Sequence, residues 1–229
     1  MTAYDLHYNG KDTLDFLKEA VNYNRFLAHE LLQFLGEYEE AVDFGAGNGE
    51  FAARLSAHGK RITAVEPDPH LRDLIAAQGI KVIATIEAAP MQHRIYSQNV
   101  LEHIEDDEAA LRALQSKLHP SGKLFLYVPA FSCLYTEYDK AVGHHRRYRK
   151  AELVHKLKRA GFIIERAEYV DSAGFLCWLV MGRLPGDKTR INPRIIKLFD
   201  RCIFPLSRFA DTIMKYFFGK NLLVIARKP

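Results

Sequence analysis

The stretch AVDFGAGNGE, residues 41–50, sets Gly45, Gly47 and Gly49 at alternate positions between two carboxylates, Asp43 and Glu50. Glycine turns that lead from a strand into a helix commonly hold phosphate on the free amides of the helix N-terminus. Here Glu50 fills the slot that a dinucleotide fingerprint reserves for its third glycine or alanine. A carboxylate at that point repels a pyrophosphate. A Walker loop is excluded because no Gly-Lys-Ser/Thr run follows. About 20 residues further on, Glu66 of AVEPDP stands where a carboxylate accepts the hydroxyls of a ribose. The ligand these groups suit carries a ribose, a positive charge and no phosphate. S-adenosylmethionine, with its sulfonium, ammonium and ribose, meets all three conditions. The structural alternative is a tight turn with no ligand. Against it, each glycine costs backbone entropy, and such a turn rarely needs three.

What positions these groups is a recurring pattern of amphipathic stretch, glycine and β-rich run. FAARLSAHG precedes KRITAVE, LRDLIAAQG precedes IKVIAT, AALRALQSKLHPSG precedes KLFLYVP, and AELVHKLKRAG precedes FIIERAEYV. Gly59, Gly79, Gly122 and Gly161 fall where a helix closes in a left-handed residue. EAVDF at 40–44 and RIYSQ at 94–98 add two strands. FLKEAVNYNRFLAHELLQFLG, ending at Gly36, predicts a helix leading into the first of them. Alternating helices and strands specify an α/β fold with a doubly wound, Rossmann-like parallel sheet. Such sheets bind ligands beyond the carboxyl ends of their strands. Asp43 to Glu50, Glu66 to Asp68, Thr85 to Glu87 and Gln98 to His103 are therefore expected on one rim.

A chain of 229 residues, 48% hydrophobic, can bury a full core, so residues 1–229 read as a single domain. Within it, 1–36 is an N-terminal helical segment. The net charge of +4 is too mild to argue for nucleic acid. Cys133, Cys177 and Cys202 show neither a pairing scheme nor zinc spacing, so no metal is read and a reducing cytoplasm is the expected compartment. The opening residues contain no apolar run of signal-peptide type. The longest apolar run, GFLCWLVMG from Gly174, is far short of the roughly 20 residues that span a bilayer.

The chain resembles class I methyltransferases dependent on S-adenosylmethionine, and within them the small-molecule branch. NYNRF at 22–26, the glycine loop, AVEPDP, SQNVLEHIEDDEAAL at 97–111, LHPSGKLFLYVPA and GHHRRYRKAEL at 143–153 carry the likeness. The resemblance implies a seven-stranded sheet whose last strand is antiparallel. It implies that Asp43, Gly45, Gly47 and Gly49, with Ala46 beside them, line the methionine tail. Glu66, with Pro67, should hold the ribose. Gln98 and Asn99 should flank the cofactor near its sulfur, and Tyr23 either closes over it or packs in the core. The departure is ATIEAAP after the third strand, which lacks the family's pattern at adenine.

Methyl transfer mainly requires alignment in a dry pocket. A base is needed when the acceptor is a hydroxyl or a carbon acid. The candidates are His103, at the rim after the fourth strand, and His144. For His103 the alternative is a loop histidine tethered to nearby acids. For GHHRRYRK it is a solvated basic helix start, although cations at a helix N-terminus call for an acidic partner. The resemblance tilts His144, His145, Arg147 and Tyr148 toward the acceptor, with Tyr135 and Tyr138 lining the same pocket.

Residues 171–220 form a long insert before the last strand, NLLVIAR. The insert holds nine Lys or Arg against four Asp, so the positive excess of the chain lies there. NPRIIKLFDRCIF, capped by Asn192, sets Ile195, Ile196, Phe199, Cys202 and Ile203 on one face. PLSRFADTIMKYFFG does the same with Leu206, Phe209, Ala210, Ile213 and Phe217. Two readings stay open: a substrate lid that meets an anionic membrane or a lipid-linked acceptor, and apolar faces packed on the sheet or in a homodimer. The sequence therefore reads as a cytoplasmic, monomeric or homodimeric methyltransferase. Its acceptor is a small molecule, apolar or lipid-linked, with O- or C-methylation favoured over N-methylation. The rivals are a dinucleotide-dependent oxidoreductase and a non-catalytic binding protein on the same fold.

Overall fold

The computed structural model describes residues 20–182 and 193–229. Its frame is one seven-stranded sheet made of β1 (Glu40–Phe44), β2 (Arg61–Val65), β3 (Lys81–Ile83), β4 (Gln92–Gln98), β5 (Leu118–Pro129), β6 (Ile163–Val170) and β7 (Asn221–Arg227). The order is β3-β2-β1-β4-β5-β7-β6. Only β7 runs antiparallel, against both β5 and β6. The order reverses between β1 and β4, which opens a crevice at their carboxyl ends.

Strands β1, β4 and β5 are apolar on both faces because helices cover both sides. One core cluster gathers Val42, Ile95, Leu124, Leu126 and Val224. It packs under α4 (Asp107–Ser116) and α6 (Lys150–Arg159). The other gathers Tyr96, Phe125, Tyr127 and Leu223 under α1 (Val21–Leu35) and α2 (Glu50–Ser56). Local signals set the helix starts. Asp68 caps α3 (Pro69–Ala77) by accepting the amides of His70 and Leu71 at 2.8 and 3.2 Å, and Pro69 fixes the first turn.

Three of the four predicted helix-ending glycines have left-handed backbone: Gly59, Gly79 and Gly161. Gly122 does not. Helix α4 stops at Ser116, and Gly122 lies inside β5. A Cβ there would sit 2.8 Å from the His119 carbonyl, so close approach rather than a turn requires the glycine.

The insert separates the two readings left open for its apolar faces. It folds as α7 (Ser172–Met181), α8 (Pro193–Leu198), a π-helical turn (Phe199–Ile203) and α9 (Phe204–Met214); Asn192 lies outside the described residues. On α9 the apolar stripe Leu206, Phe209, Ala210 and Ile213 faces outward, as does Phe217 in the turn beyond it, and Phe204, Ser207 and Asp211 face in. A polar requirement explains which face turns in. The N-terminus of α7 leaves amides without helical partners. Asp211 accepts those of Asp171 and Ser172 at 2.8 and 2.9 Å, and the Ser207 hydroxyl accepts that of Ala173 at 3.0 Å.

Asp200, on the π-helical turn, closes the insert onto the body. It is 4% exposed and accepts the amides of Asn22 and Tyr23, both at 2.8 Å. It thereby caps α1, whose own N-cap residue, Ala20, provides no side-chain acceptor. Asp200→Ala is expected to lower unfolding stability by about 2 kcal/mol, read as a shift of the urea midpoint. An unchanged midpoint would show that the cap carries no weight.

Candidate active site

The crevice between β1 and β4 widens into a cleft of about 250 Å³. The glycine loop, Glu66, Gln98, Asn99, His103 and His144 line it. So do Tyr23, Tyr138, Arg147, Trp178 and Lys220. The rim segment Thr85 to Glu87 is not part of the lining, because β3 is the sheet edge, two strands from the switch point.

The loop is shaped for close approach. Gly45, Gly47 and Gly49 have φ of 79°, 58° and 79°. A Cβ on Gly45 would lie 2.3 Å from a methyl of Val100, which follows β4. The two rim loops therefore touch backbone to side chain. Glu66 fixes the turn: its carboxylate accepts the Gly47 amide at 2.8 Å and the Asp68 amide at 3.0 Å. Asn99 takes a left-handed φ of 52°, which Asn tolerates better than most residues.

Electrostatics divide the cleft. At the loop end, Asp43 is 4% exposed. Burial pushes its carboxyl up to about 7, and the nearby Glu66 adds to the rise. Glu66 is raised for the same reason, burial. No cation among the described residues answers Asp43. Glu50, expected to repel a pyrophosphate, is paired with Arg54 at 2.7 Å, so Asp43 rather than Glu50 sets the sign of this end. The side-chain oxygen of Gln98, Oε1, is buried without a hydrogen-bond donor. An uncompensated carboxylate, an orphaned acceptor and a backbone cradle together fit a cationic amino-acid tail, and Glu66 beside them fits a ribose. S-adenosylmethionine meets that chemistry.

The other end is basic. Lys220 lies 4.7 Å above the Trp178 ring, and burial lowers its pKa. The Arg147 guanidinium stands 5.6 Å from the same ring.

Between the two ends sits a proton-handling group. The GHHRRYR segment lies along the end of β5, with Tyr148 bridging to Ala130. There His144 Nδ1 lies 2.8 Å from Asp139 Oδ1. Arg147 grips the same carboxylate at 2.8 and 3.1 Å. Although burial opposes it, the bond to His144 and the charge of Arg147 hold Asp139 below the usual carboxylate range. His144 Nε2 lies 3.8 Å from Glu102. Glu102 is fully buried, its carboxyl is raised to about 7 by that burial, and neither oxygen has a hydrogen-bond donor among the described residues. His103 meets the His144 ring edge-on at 4.7 Å. Burial, then the charge of His144, lowers it to about 3, so it stays neutral at physiological pH. Glu102, His103 and His144 offer ligand atoms within 4.8 Å of one another, a spacing that would admit a divalent cation.

The remaining site residues separate clearly. Ala46 and Tyr23 line the cleft, and Tyr23 also packs edge-on against Tyr127 and Phe204. Pro67 lies just outside, its carbonyl accepting from Arg72. Tyr148 is fully buried away from the cleft, donating to Asp107 at 2.9 Å. Tyr135 donates to the His144 carbonyl at 2.6 Å and so steadies that residue from behind. His145 is exposed, its amide bound to the Glu102 carbonyl. Sequence reasoning passed over Asp139, Trp178 and Lys220. The run of cations at 144–149 signalled a need for acids, and Asp139 and Asp107 meet it. Nothing in the sequence ties Trp178 to Lys220.

Comparisons with known proteins identify the family and the fold. Residues 19–167, well over half of the chain, match the family described as Methyltransferase domain. The chain is 27% identical to the ubiquinone biosynthesis O-methyltransferase of Xanthomonas axonopodis pv. citri, over 66% of this chain and 72% of that one. An S-adenosylmethionine-dependent methyltransferase of Thermotoga maritima superposes with a TM-score of 0.60 at 17% identity, over 96% of this chain and 99% of that one. One from Archaeoglobus fulgidus superposes with a TM-score of 0.59 at 15% identity, over 90% and 94%. The match across the sheet and its glycine loop, together with the acid-floored crevice, places the chain in the methyltransferase-domain family, as a class I enzyme that uses S-adenosylmethionine.

Proposed function

We propose that the enzyme methylates a hydroxyl oxygen on a small, largely apolar acceptor, with His144 as the base. The observation that carries this reading is the Asp139–His144 pair. A carboxylate on Nδ1 fixes the tautomer and leaves Nε2 as acceptor toward the cleft. The O-methylation named for the Xanthomonas relative supports oxygen as the accepting atom.

Bound at the loop end, S-adenosylmethionine supplies a methyl group made electrophilic by the sulfonium. Asp43 and the loop amides hold the tail, and Glu66 holds the ribose. Trp178, Tyr138 and Val142 give the acceptor body an apolar, partly aromatic wall. His144 takes the hydroxyl proton as the oxygen accepts the methyl. The positive charge lost at sulfur reappears on the imidazole, where Asp139 and Glu102 stabilise it. Lys220 and Arg147 at the same end favour an acceptor with an anionic group.

The test is methyl transfer from labelled cofactor to a panel of apolar hydroxy acids, their methyl ethers and the matching amino acids. The reading expects transfer to the free hydroxyl alone. Transfer to amines but not hydroxyls would contradict it. Glu66→Ala is expected to weaken cofactor binding by about 1–3 kcal/mol. Part of that loss comes from the Gly47 amide it releases. Unchanged affinity by calorimetry would remove Glu66 from the site.

A further inference from the structure

We propose that the outer face of α7, α8 and α9 docks on an anionic lipid bilayer and sets the mouth of the cleft against it. On α9, Leu206, Phe209 and Ile213 are 69%, 81% and 62% exposed, one stripe at helical spacing, and Phe217 in the turn that follows is 66% exposed. Leu198 of α8 and Val180 of α7 extend the patch, at 63% and 59%. Contiguous apolar surface of this kind marks an interaction site on a folded domain.

Charge identifies the occupant. Among the described residues of the insert the acids are turned inward: Asp171, Asp200 and Asp211 are 1%, 4% and 2% exposed, and all three accept backbone amides. Three cations, Arg194, Lys197 and Arg201, are exposed. Over the described residues of α7, α8 and α9 the outer surface is therefore apolar and positive. A second copy meeting this face across a two-fold axis would set like charge against like. Anionic headgroups complement the cations, and the acyl boundary takes Phe209 and its neighbours. No helix among the described residues is long and apolar enough to cross a membrane, so contact of this kind is peripheral.

The cap is tied to the cleft at two points. Trp178 of α7 lines the acceptor end while Val180 of the same helix faces out. Asp200 holds the amide of Tyr23, which also lines the cleft. An acceptor carried in the membrane would enter where the patch meets the bilayer. The use of the docking rests on the acceptor reading above; its test does not.

The experiment is co-sedimentation of the full chain with phosphatidylcholine vesicles, with and without phosphatidylglycerol, at low and high salt. Pelleting is expected only with phosphatidylglycerol and should fall as salt rises. Phe209→Glu with Ile213→Glu should reduce it more than about tenfold, and Lys197→Gln or Arg201→Gln about fivefold each. All of these positions are exposed, so melting temperature and cofactor affinity should hold. Absence of pelleting, or pelleting indifferent to the glutamates, overturns the proposal. So does a dimer in sedimentation velocity that Phe209→Glu dissolves. Vesicle binding by a chain that methylates no hydroxyl would sink the acceptor reading alone.

Discussion

His144→Ala is expected to lower turnover by about 10²- to 10⁴-fold, the range for loss of a general base, with cofactor affinity unchanged. The geometry separates this residue from its neighbour. His144 is gripped at Nδ1 by Asp139, and its Nε2 lies 3.8 Å from the Glu102 carboxyl. His103 lies beside it, but burial makes it too weak a base to compete for the proton. His103→Ala should therefore cost far less. Asp139→Asn should lower kcat with little change in KM, because it disturbs orientation and charge rather than acceptor contact. The pH profile adds a signature. Glu102 is protonated below about 7 because of its burial, so it stabilises the imidazolium only once ionised. Turnover should rise with pH through that region, and Glu102→Gln should flatten the rise. Chelation distinguishes a base from a metal-held hydroxyl at the same three residues, and the rate is expected to survive it. A His144→Ala enzyme of wild-type rate would remove the base from the mechanism.

The second large effect belongs to Asp43. Asp43→Asn should weaken S-adenosylmethionine binding by about 2–5 kcal/mol, as expected for a buried charge that loses its partner. The wild-type protein should also show a pH dependence of defined sign. Folded Asp43 titrates at about 7, against an ordinary 3.8. Its folded pKa is raised, so its contribution to stability is full below about pH 4 and is lost as pH rises toward 7. A bound cation reverses the cost by favouring the carboxylate. Cofactor affinity should therefore rise with pH up to about 7 and level off above it, with a proton released on binding in the acidic part of that range. Calorimetry in buffers of different ionisation enthalpy reads that proton directly. In Asp43→Asn the proton and the pH slope should both vanish. Affinity independent of pH in the wild type would show that Asp43 does not face the cation.

The sheet was readable because its signals are local. Periodicity, helix-closing glycines and a capping Asp68 each act within a few residues. Strand β7 was placed at 221–227, and it spans Asn221–Arg227. The cofactor end was readable for a similar reason, since the loop and Glu66 belong to consecutive strands. The acceptor end depends on contacts distant in sequence. Asp139 reaches His144 from a short helix, α5 (Glu137–Ala141), and Lys220 meets Trp178 across the whole insert. In the insert a polar requirement, not hydrophobic patterning, decides which face turns in. Periodicity marks the stripe on α9 correctly but does not say which way it faces, and the bare amides of α7 turned Ser207 and Asp211 inward. Gly122 misled because a glycine near a helix end resembles a cap whether it closes the helix or admits a neighbouring carbonyl.

The most direct measurement is a crystal structure of the protein soaked with S-adenosylhomocysteine. The account predicts the amino-acid tail on the Gly45–Gly49 loop with its ammonium facing Asp43, the ribose hydroxyls on Glu66, and the sulfur directed past Asn99 toward His144. The compound bound outside the β1–β4 crevice, or bound there with Asp43 and Glu66 untouched, would contradict it.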